Sequence, residues 1–257
     1  MPTPADPRVL VTNDDGIDSP GIERLAQCLS EDFDTVVVAP VWDMSGSGTG
    51  IGHFDPAKGV ALTKVDRSDI AAYTVEGPPG LAVLAGMLGA FGPPPDLVVS
   101  GVNAGMNTGH SVIHSGTVGA ALTARTMGAH GLAVSLAQSD PWHWDSAVTV
   151  ARSAVDWVLA RRGPKVVLNI NVPALPLVDL RGVRWADLDA FGHIRVAIAD
   201  VPGEKLEFEV RGSGAGLDQA TDTALCLDGN VTLTLLSTIS PAPFPPEEPT
   251  AVWNPSE

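Results

Sequence analysis

Arg8-Val9-Leu10-Val11-Thr12-Asn13-Asp14-Asp15-Gly16 decides the fold. Arg8 to Thr12 is a short apolar, β-branched run, the pattern of a buried strand. It breaks off in three adjacent amide and acid side chains, and Gly16 follows. Ser19-Pro20-Gly21 then opens a helix, because proline fits the first helical turn. Two adjacent carboxylates at a strand end repel one another and lose hydration, and a divalent cation with oxygen ligands offsets that cost. Without such a cation, Asn13 and Asp14 make a polar turn with local backbone bonds.

Outward from this stretch the strand and helix patterns alternate. Ile22, Leu25, Ala26 and Leu29 form a helical stripe, and Thr35 to Ala39 is a second β-branched run stopped by Pro40. A long glycine- and serine-rich loop runs from Val41 to His53, a length typical of functional loops. Gly59 to Lys64 and Ala72 to Glu76 read as weaker strands, and Leu81 to Phe91 as a helix. Asp96 to Ser100 is a buried strand leading into a glycine-rich loop, Gly101 to Gly109. A small-residue helix spans Val118 to Met127, a strand Leu132 to Leu136, and a helix capped by Asp145 spans Ser146 to Arg161. Val166 to Asn171 is a further strand, ended by Pro173. This alternation predicts an α/β fold, a Rossmann-like, doubly wound and mostly parallel sheet over residues 1–173. After Pro173 short alternating runs at His193 to Ala199, Leu206 to Val210 and Val231 to Leu235 predict a C-terminal antiparallel hairpin or arm region. That region, 174–257, is expected to serve self-association and to end in a Pro- and Glu-rich tail from Ser240.

Composition narrows the function classes. With 257 residues and a net charge of −15, the chain has the size of one large domain and no basic surface for duplex nucleic acid. Its two cysteines, Cys28 and Cys226, form no CxxC pair. No apolar run approaches the roughly 20 residues of a membrane span, and Met1 to Pro4 lacks a secretory pattern. A cytoplasmic protein is expected, with no membrane contact.

In an open parallel sheet, ligands bind beyond the carboxyl ends of the strands. Asn13-Asp14-Asp15, the loop with Ser45-Gly46-Ser47, and Ser100 to Asn103 all fall on that edge. Their oxygens suit a hard cation. Ser115-Gly116-Thr117 precedes the helix at Val118, where free N–H groups and the helix dipole favour a phosphate; an ordinary Ser/Thr helix cap is the alternative. Cation and anion seat together predict hydrolysis of a phosphate ester by a metal-activated water. Thr117→Val is then expected to lower turnover and leave metal affinity nearly unchanged. His110 and His114 flank the seat and are candidates to protonate a leaving oxygen. Trp142, Trp144 and Trp157 read as packing residues. The first strand lacks the G-x-G-x-x-G of a dinucleotide site, and the adjacent acids lack the spacing of an aspartyl-phosphate enzyme.

The ordered set of Thr12 to Gly16 with Pro20-Gly21-Ile22, Ala39-Pro40 with Ser45-Gly46, Ser100 to Gly105 with Asn107-Thr108-Gly109, Ser115 to Val118, and Leu168 to Pro173 resembles the survival protein SurE family of nucleotidases. The resemblance implies one divalent metal per subunit, Mg²⁺ or Mn²⁺ with Ca²⁺ possible in crystals, on Asp14, Asp15, Ser45 and Asn103. It implies a phosphate seat on Asn107, Ser115, Gly116 and Thr117, with catalysis by Asp14 and Asp15; Asn13, His110 and His114 are candidates to meet the substrate by their place beside these residues. It also implies a 5′-nucleotidase acting on nucleoside monophosphates, assembled as a homodimer or homotetramer. A phosphatase of a non-nucleotide metabolite, or a lapsed binding relative, is the alternative. Val41-Trp42-Asp43-Met44 departs from the family's Asp followed by basic or amide residues, and His114 stands where Tyr is frequent. Both departures leave the metal and phosphate positions in place.

Overall fold

The computed structural model describes residues 7–53, 55, 57–67, 69–191, 194–200, 207–212 and 218–239. His193, Leu206 and the tail from Ser240 lie outside the described residues.

Strand β1 (Arg8–Thr12) lies in the middle of a nine-stranded sheet. Helix α1 (Pro20–Ser30) leads to β2 (Asp34–Pro40), followed by β3 (Leu62–Val65), β4 (Ala71–Val75) and α2 (Pro79–Met87). The chain then crosses back over β1 to β5 (Leu97–Ala104), a 3₁₀ turn (Gly109–His114), α3 (Gly116–Thr126), β6 (His130–Leu136), α4 (Trp144–Leu159) and β7 (Val167–Val172). After a short β8 (Val183–Trp185) come β9 (Ile194–Asp200), β10 (Glu207–Gly212), α5 (Asp222–Leu227) and β11 (Val231–Leu236). The order is β3-β4-β2-β1-β5-β6-β7-β11-β8. From β4 to β7 every pairing is parallel, while β3 on β4 and β11 on β7 are antiparallel. The doubly wound α/β architecture expected from the alternation is the one observed. Strands β9 and β10 form a separate antiparallel pair.

Both faces of β1 are covered, so the strand reads as a continuous apolar run. Val9 and Val11 pack with Ile22, Leu25 and Leu29 of α1 and with Ala151 and Val155 of α4. Leu10, between them, packs on the opposite face with Ala82 and Val83 of α2 and Ala120 and Ala124 of α3. The small residues of α3 let the helix lie close to the sheet: a Cβ on Gly131 would sit 2.2 Å from the Ala121 carbonyl oxygen.

The order in which strands are added reverses between β1 and β5, where the register pairs Thr12 with Ser100. A ligand crevice belongs at such a switch.

The structure changes several expected boundaries. β5 does not stop at Ser100; its ladder with β6 resumes after an irregularity at Asn103 and Ala104. Gly101 adopts φ +136, and a Cβ there would meet the Val134 carbonyl oxygen at 2.3 Å. α2 begins earlier and ends at Met87, short of Phe91. Asp145 does not cap α4: His143 holds that position, and the Asp145 carboxylate instead accepts from Arg24 at 2.9 Å. Val231 to Leu236 belongs to the main sheet and not to a hairpin, pairing with β7 on one side and β8 on the other.

Candidate active site

The turn after β1 is held by its own side chains. Gly16, at φ +93, lets the chain reverse. Asn13 is fully buried, and its Nδ2 donates to the Gly16 carbonyl at 2.9 Å and to Ser19 Oγ at 2.8 Å. Ser19 therefore serves the turn and makes no side-chain cap on α1.

Asp14 is 3% exposed. Its Oδ1 accepts the Thr117 hydroxyl at 2.5 Å, and the backbone amides of Gly116 and Thr117 face its carboxylate closely enough to favour its charged form. The Asp14 carboxylate thus lies at the start of α3, beside the residues expected to hold a phosphate. Burial pushes the Asp14 pKa up, and the α3 donors pull against that shift. Asp15 is more open. Burial, then the charge of Asp14, pushes it up to about 6, with Asp43 adding a smaller push. The Ala104 N–H donates to Asp15 Oδ2 at 3.3 Å, tying the second carboxylate to the end of β5.

The second loop folds over this pair. Met44 N donates to the Asp14 carbonyl at 2.7 Å, and Gly48 N to the His114 carbonyl at 3.1 Å. Backbone meets backbone at Gly119, where a Cβ would lie 1.9 Å from the Gly48 oxygen. Ser45 is exposed, and its backbone N donates to Asp43 Oδ1 at 2.7 Å. The hydroxyl and amide of Ser45 hold the Asp43 carboxyl below its ordinary value. Asn103 Nδ2 donates to the Gly105 carbonyl at 2.7 Å.

The donor chemistry fits a hard cation. Asp14, Asp15 and Asn103 stand at neighbouring strand ends, and Ser45 keeps lone pairs after donating its proton to Asp43. Buried Thr12 Oγ1, Asn13 Oδ1, Ser47 Oγ and Ser100 Oγ at the same edge have no hydrogen-bond partner. Among the described residues no group of three or more His, Cys, Asp or Glu is arranged for a metal, so neutral oxygens must complete any shell.

Asn107 is held from three sides. Its N–H donates to Asn171 Oδ1 at 2.8 Å and its Nδ2 to Ser135 Oγ at 2.9 Å. Its carbonyl accepts from Asn169 and Asn171, each at 2.9 Å. Ser115 Oγ accepts from Val118 N at 3.1 Å and caps α3. Among the residues expected at the phosphate, the side-chain donors of Asn107 and Thr117 are thus engaged within the protein. His110 and His114 are exposed, and their backbones anchor them: His110 N to the Asp189 carbonyl and His114 O to Gly48 N.

Sequence reasoning gave no role to Asp222, and named Asn169 and Asn171 within the family resemblance without a role in the site. The signal for the asparagines was present, because amides on an otherwise apolar buried strand require partners. Asp222 gives no such signal, since its short helix shows no periodicity. A separate apolar cavity of about 1190 Å³, lined by His110, Ile113, Leu122, Trp185 and Leu236 among others, includes neither Asp14 nor Asp15.

The family description "Survival protein SurE" matches residues 9–191, which include the carboxylate pair, the second loop and the Asn107 cradle. The chain belongs to the SurE family. A 5′-nucleotidase SurE of Ectopseudomonas mendocina is 36% identical over 236 residues, covering 89% of this chain and 91% of the relative. The 5′-nucleotidase SurE of Nitrosococcus oceani is 42% identical over 174 residues, 67% of each chain. The 5′/3′-nucleotidase SurE of Yersinia pseudotuberculosis is 41% identical over 179 residues, 69% of this chain and 67% of that one. In three dimensions the chain is similar to the SurE protein of Aquifex aeolicus, with a TM-score of 0.74 and 30% identity over 90% of this chain and 93% of that one. SurE membership agrees with the mixed sheet and its switch point. No helix among the described residues is long and apolar enough to cross a membrane.

Proposed function

We propose that this SurE-family chain is a metal-dependent phosphomonoester hydrolase that releases phosphate from nucleoside monophosphates. The observation that carries the reading is the carboxylate pair at the β1 end, with Asp14 clamped by Thr117 and the first turn of α3. Asp14, Asp15, Ser45 and Asn103 would hold one divalent cation, Mg²⁺ or Mn²⁺ by their hard oxygen chemistry. When bound, such an ion supplies a Lewis acid for a phosphoryl oxygen and lowers the pKa of water.

The chain's own residues do the rest. Thr117 and the α3 amides keep the Asp14 carboxylate in one orientation, which a preorganised site requires. Asp15, half open beside it, faces the crevice between β1 and β5. Asn107, Ser115 and Gly116 border the place proposed for the phosphate. His114 and His110, exposed on the adjoining turn, are the groups proposed to deliver a proton to the leaving oxygen. The protein is proposed to be cytoplasmic and to work as a homodimer or homotetramer, without duplex nucleic acid.

The test is phosphate release from a panel of nucleoside monophosphates and other phosphomonoesters, with Mn²⁺, with Mg²⁺ and after chelation. Asp14→Asn and Asp15→Asn are expected to lose most activity and metal affinity with the fold retained. Full activity after chelation and dialysis defeats the proposal.

A further inference from the structure

Asp222 is a fully buried acid far along the chain from the carboxylate pair, and the reading above gives it no part. It opens α5 and is surrounded by N–H groups. Gly109 N donates to its Oδ2 at 2.9 Å, while Asp189 N at 2.9 Å and Thr223 N at 2.8 Å donate to its Oδ1. Its own N–H donates to the Asp187 carbonyl at 2.8 Å. No ion pair is made to Asp222 among the described residues. Three converging donors match the two acceptor oxygens of a carboxyl group, and they pull against the upward push of burial on its pKa; an asparagine would turn an NH₂ toward at least one of them.

The neighbours of this contact extend it. Thr223 Oγ1 donates to Thr108 Oγ1 at 2.9 Å, with both residues buried. His110 N donates to the Asp189 carbonyl at 3.0 Å. Thr108, Gly109 and His110, three successive residues, are thus pinned by chain that lies after β8. On one side of them is Asn107. On the other the 3₁₀ turn runs through His114 to Gly116 and Thr117, which hold Asp14.

We infer that Asp222 is a positioning residue: it fixes the 107–117 segment, and so the groups on it, against β1. This rests on the hydrolase reading for its effect on rate, and on the contacts alone for its effect on the segment. Misplacing reacting groups by about 1 Å costs on the order of 100-fold in rate.

The experiment compares the full chain with Asp222→Asn, Thr223→Val and, as control, Arg181→Ala. The control breaks the exposed Arg181–Asp228 pair of 2.7 Å beyond the end of α5 without touching Gly109. Amide exchange is read by mass spectrometry in peptides covering 105–117 and, for reference, β6 and β7. The rate constant kcat is read with Mn²⁺ well below the melting temperature. Asp222→Asn is expected to speed exchange in 105–117, leave the reference strands protected and lower kcat about 100-fold. Thr223→Val is expected to move both readings in the same direction by less, and Arg181→Ala to move neither. Wild-type exchange and kcat in a folded Asp222→Asn overturn the inference. So does exchange that rises equally in the reference strands, which marks a general stabilising role. If Asp222→Asn does not fold, Thr223→Val decides by the same readings. If the wild-type chain releases no phosphate from any ester, the hydrolase reading falls and the exchange comparison alone decides the inference.

Discussion

Thr117 donates its hydroxyl proton to Asp14 across 2.5 Å, joining the third helix to the end of the first strand at the carboxylate pair. Read from the residues alone, Thr117 contacts phosphate, and Thr117→Val spares metal affinity. The contact with Asp14 adds an effect on the metal side to that expectation. Thr117→Val frees the Asp14 carboxylate to turn, and is expected to weaken Mn²⁺ binding as well as slow turnover. Calorimetric titration with Mn²⁺ checks this. Slowed turnover with unchanged affinity would return the hydroxyl to the substrate.

The raised acids set a pH dependence. A raised pKa means that the folded metal-free chain holds a proton more tightly than the unfolded chain does. Asp15 therefore stabilises fully below its ordinary value of 3.8, and that contribution is lost as pH rises through about 6. Asp14 is shifted in the same direction. Melting of the metal-free protein should show this loss between about pH 4 and about pH 7. Mn²⁺ must displace the proton, so its affinity should rise across the same window with proton release. A pH-independent Mn²⁺ affinity would contradict the assignment of Asp15 as a ligand.

Gly119 lies inside α3, where alanine ordinarily favours a helix by about 0.5–1 kcal/mol. Here a Cβ would lie 1.9 Å from the Gly48 oxygen and 2.8 Å from Thr49 N, both backbone atoms. Gly119→Ala is expected to destabilise, and to displace the second loop from Asp14 with loss of activity. A higher melting temperature with normal activity would show that the loop yields without consequence.

Asn171 is fully buried and exchanges bonds with the backbone of Asn107 in both directions. Asn171→Leu leaves the Asn107 N–H and part of its carbonyl unsatisfied, costing about 1–3 kcal/mol for each buried group. Denaturant titration should show that loss, and phosphate inhibition should weaken with it. Unchanged stability would mean that water replaces the amide.

Val41 to Met44 departs from the family pattern, and Trp42 stands 53% exposed beside the carboxylates' loop. Exchanging these residues for Asp-Arg-Asn-Arg is expected to reorder substrate preference more than it changes phosphate inhibition. An unchanged ranking places selectivity elsewhere.

The core was legible because both faces of the parallel strands are covered, so Val9 to Val11 and Thr35 to Ala39 announce themselves by composition. The acid pair was legible for the opposite reason: charge at the end of an apolar strand needs an explanation. The Thr117–Asp14 contact was not legible, since a helix N-terminus attracts any anion and sequence cannot say that the protein also brings a carboxylate there. Asp222 was invisible because its partners, Gly109 and Asp189, are contacted through backbone N–H groups that carry no side-chain signature. The run Val231 to Leu235 was read as part of an antiparallel lobe or hairpin because its alternation is local, whereas its antiparallel pairing with β7 closes over a long stretch of intervening chain.

That late return has a consequence for the order in which the protein can be made. A ribosome that has released residues up to Pro173 has delivered every proposed metal ligand, yet β7 still presents a bare edge and Gly109 has no acceptor. The edge is covered only when Val231 to Leu236 emerge, and the acceptor arrives with Asp222 just before them. Domains acquire structure from the N-terminus during synthesis. For this chain the proposed site is therefore among the last parts to be completed, and a nascent chain halted before Asp222 carries the proposed ligands without the acceptor for Gly109 and with an open strand that invites mispairing.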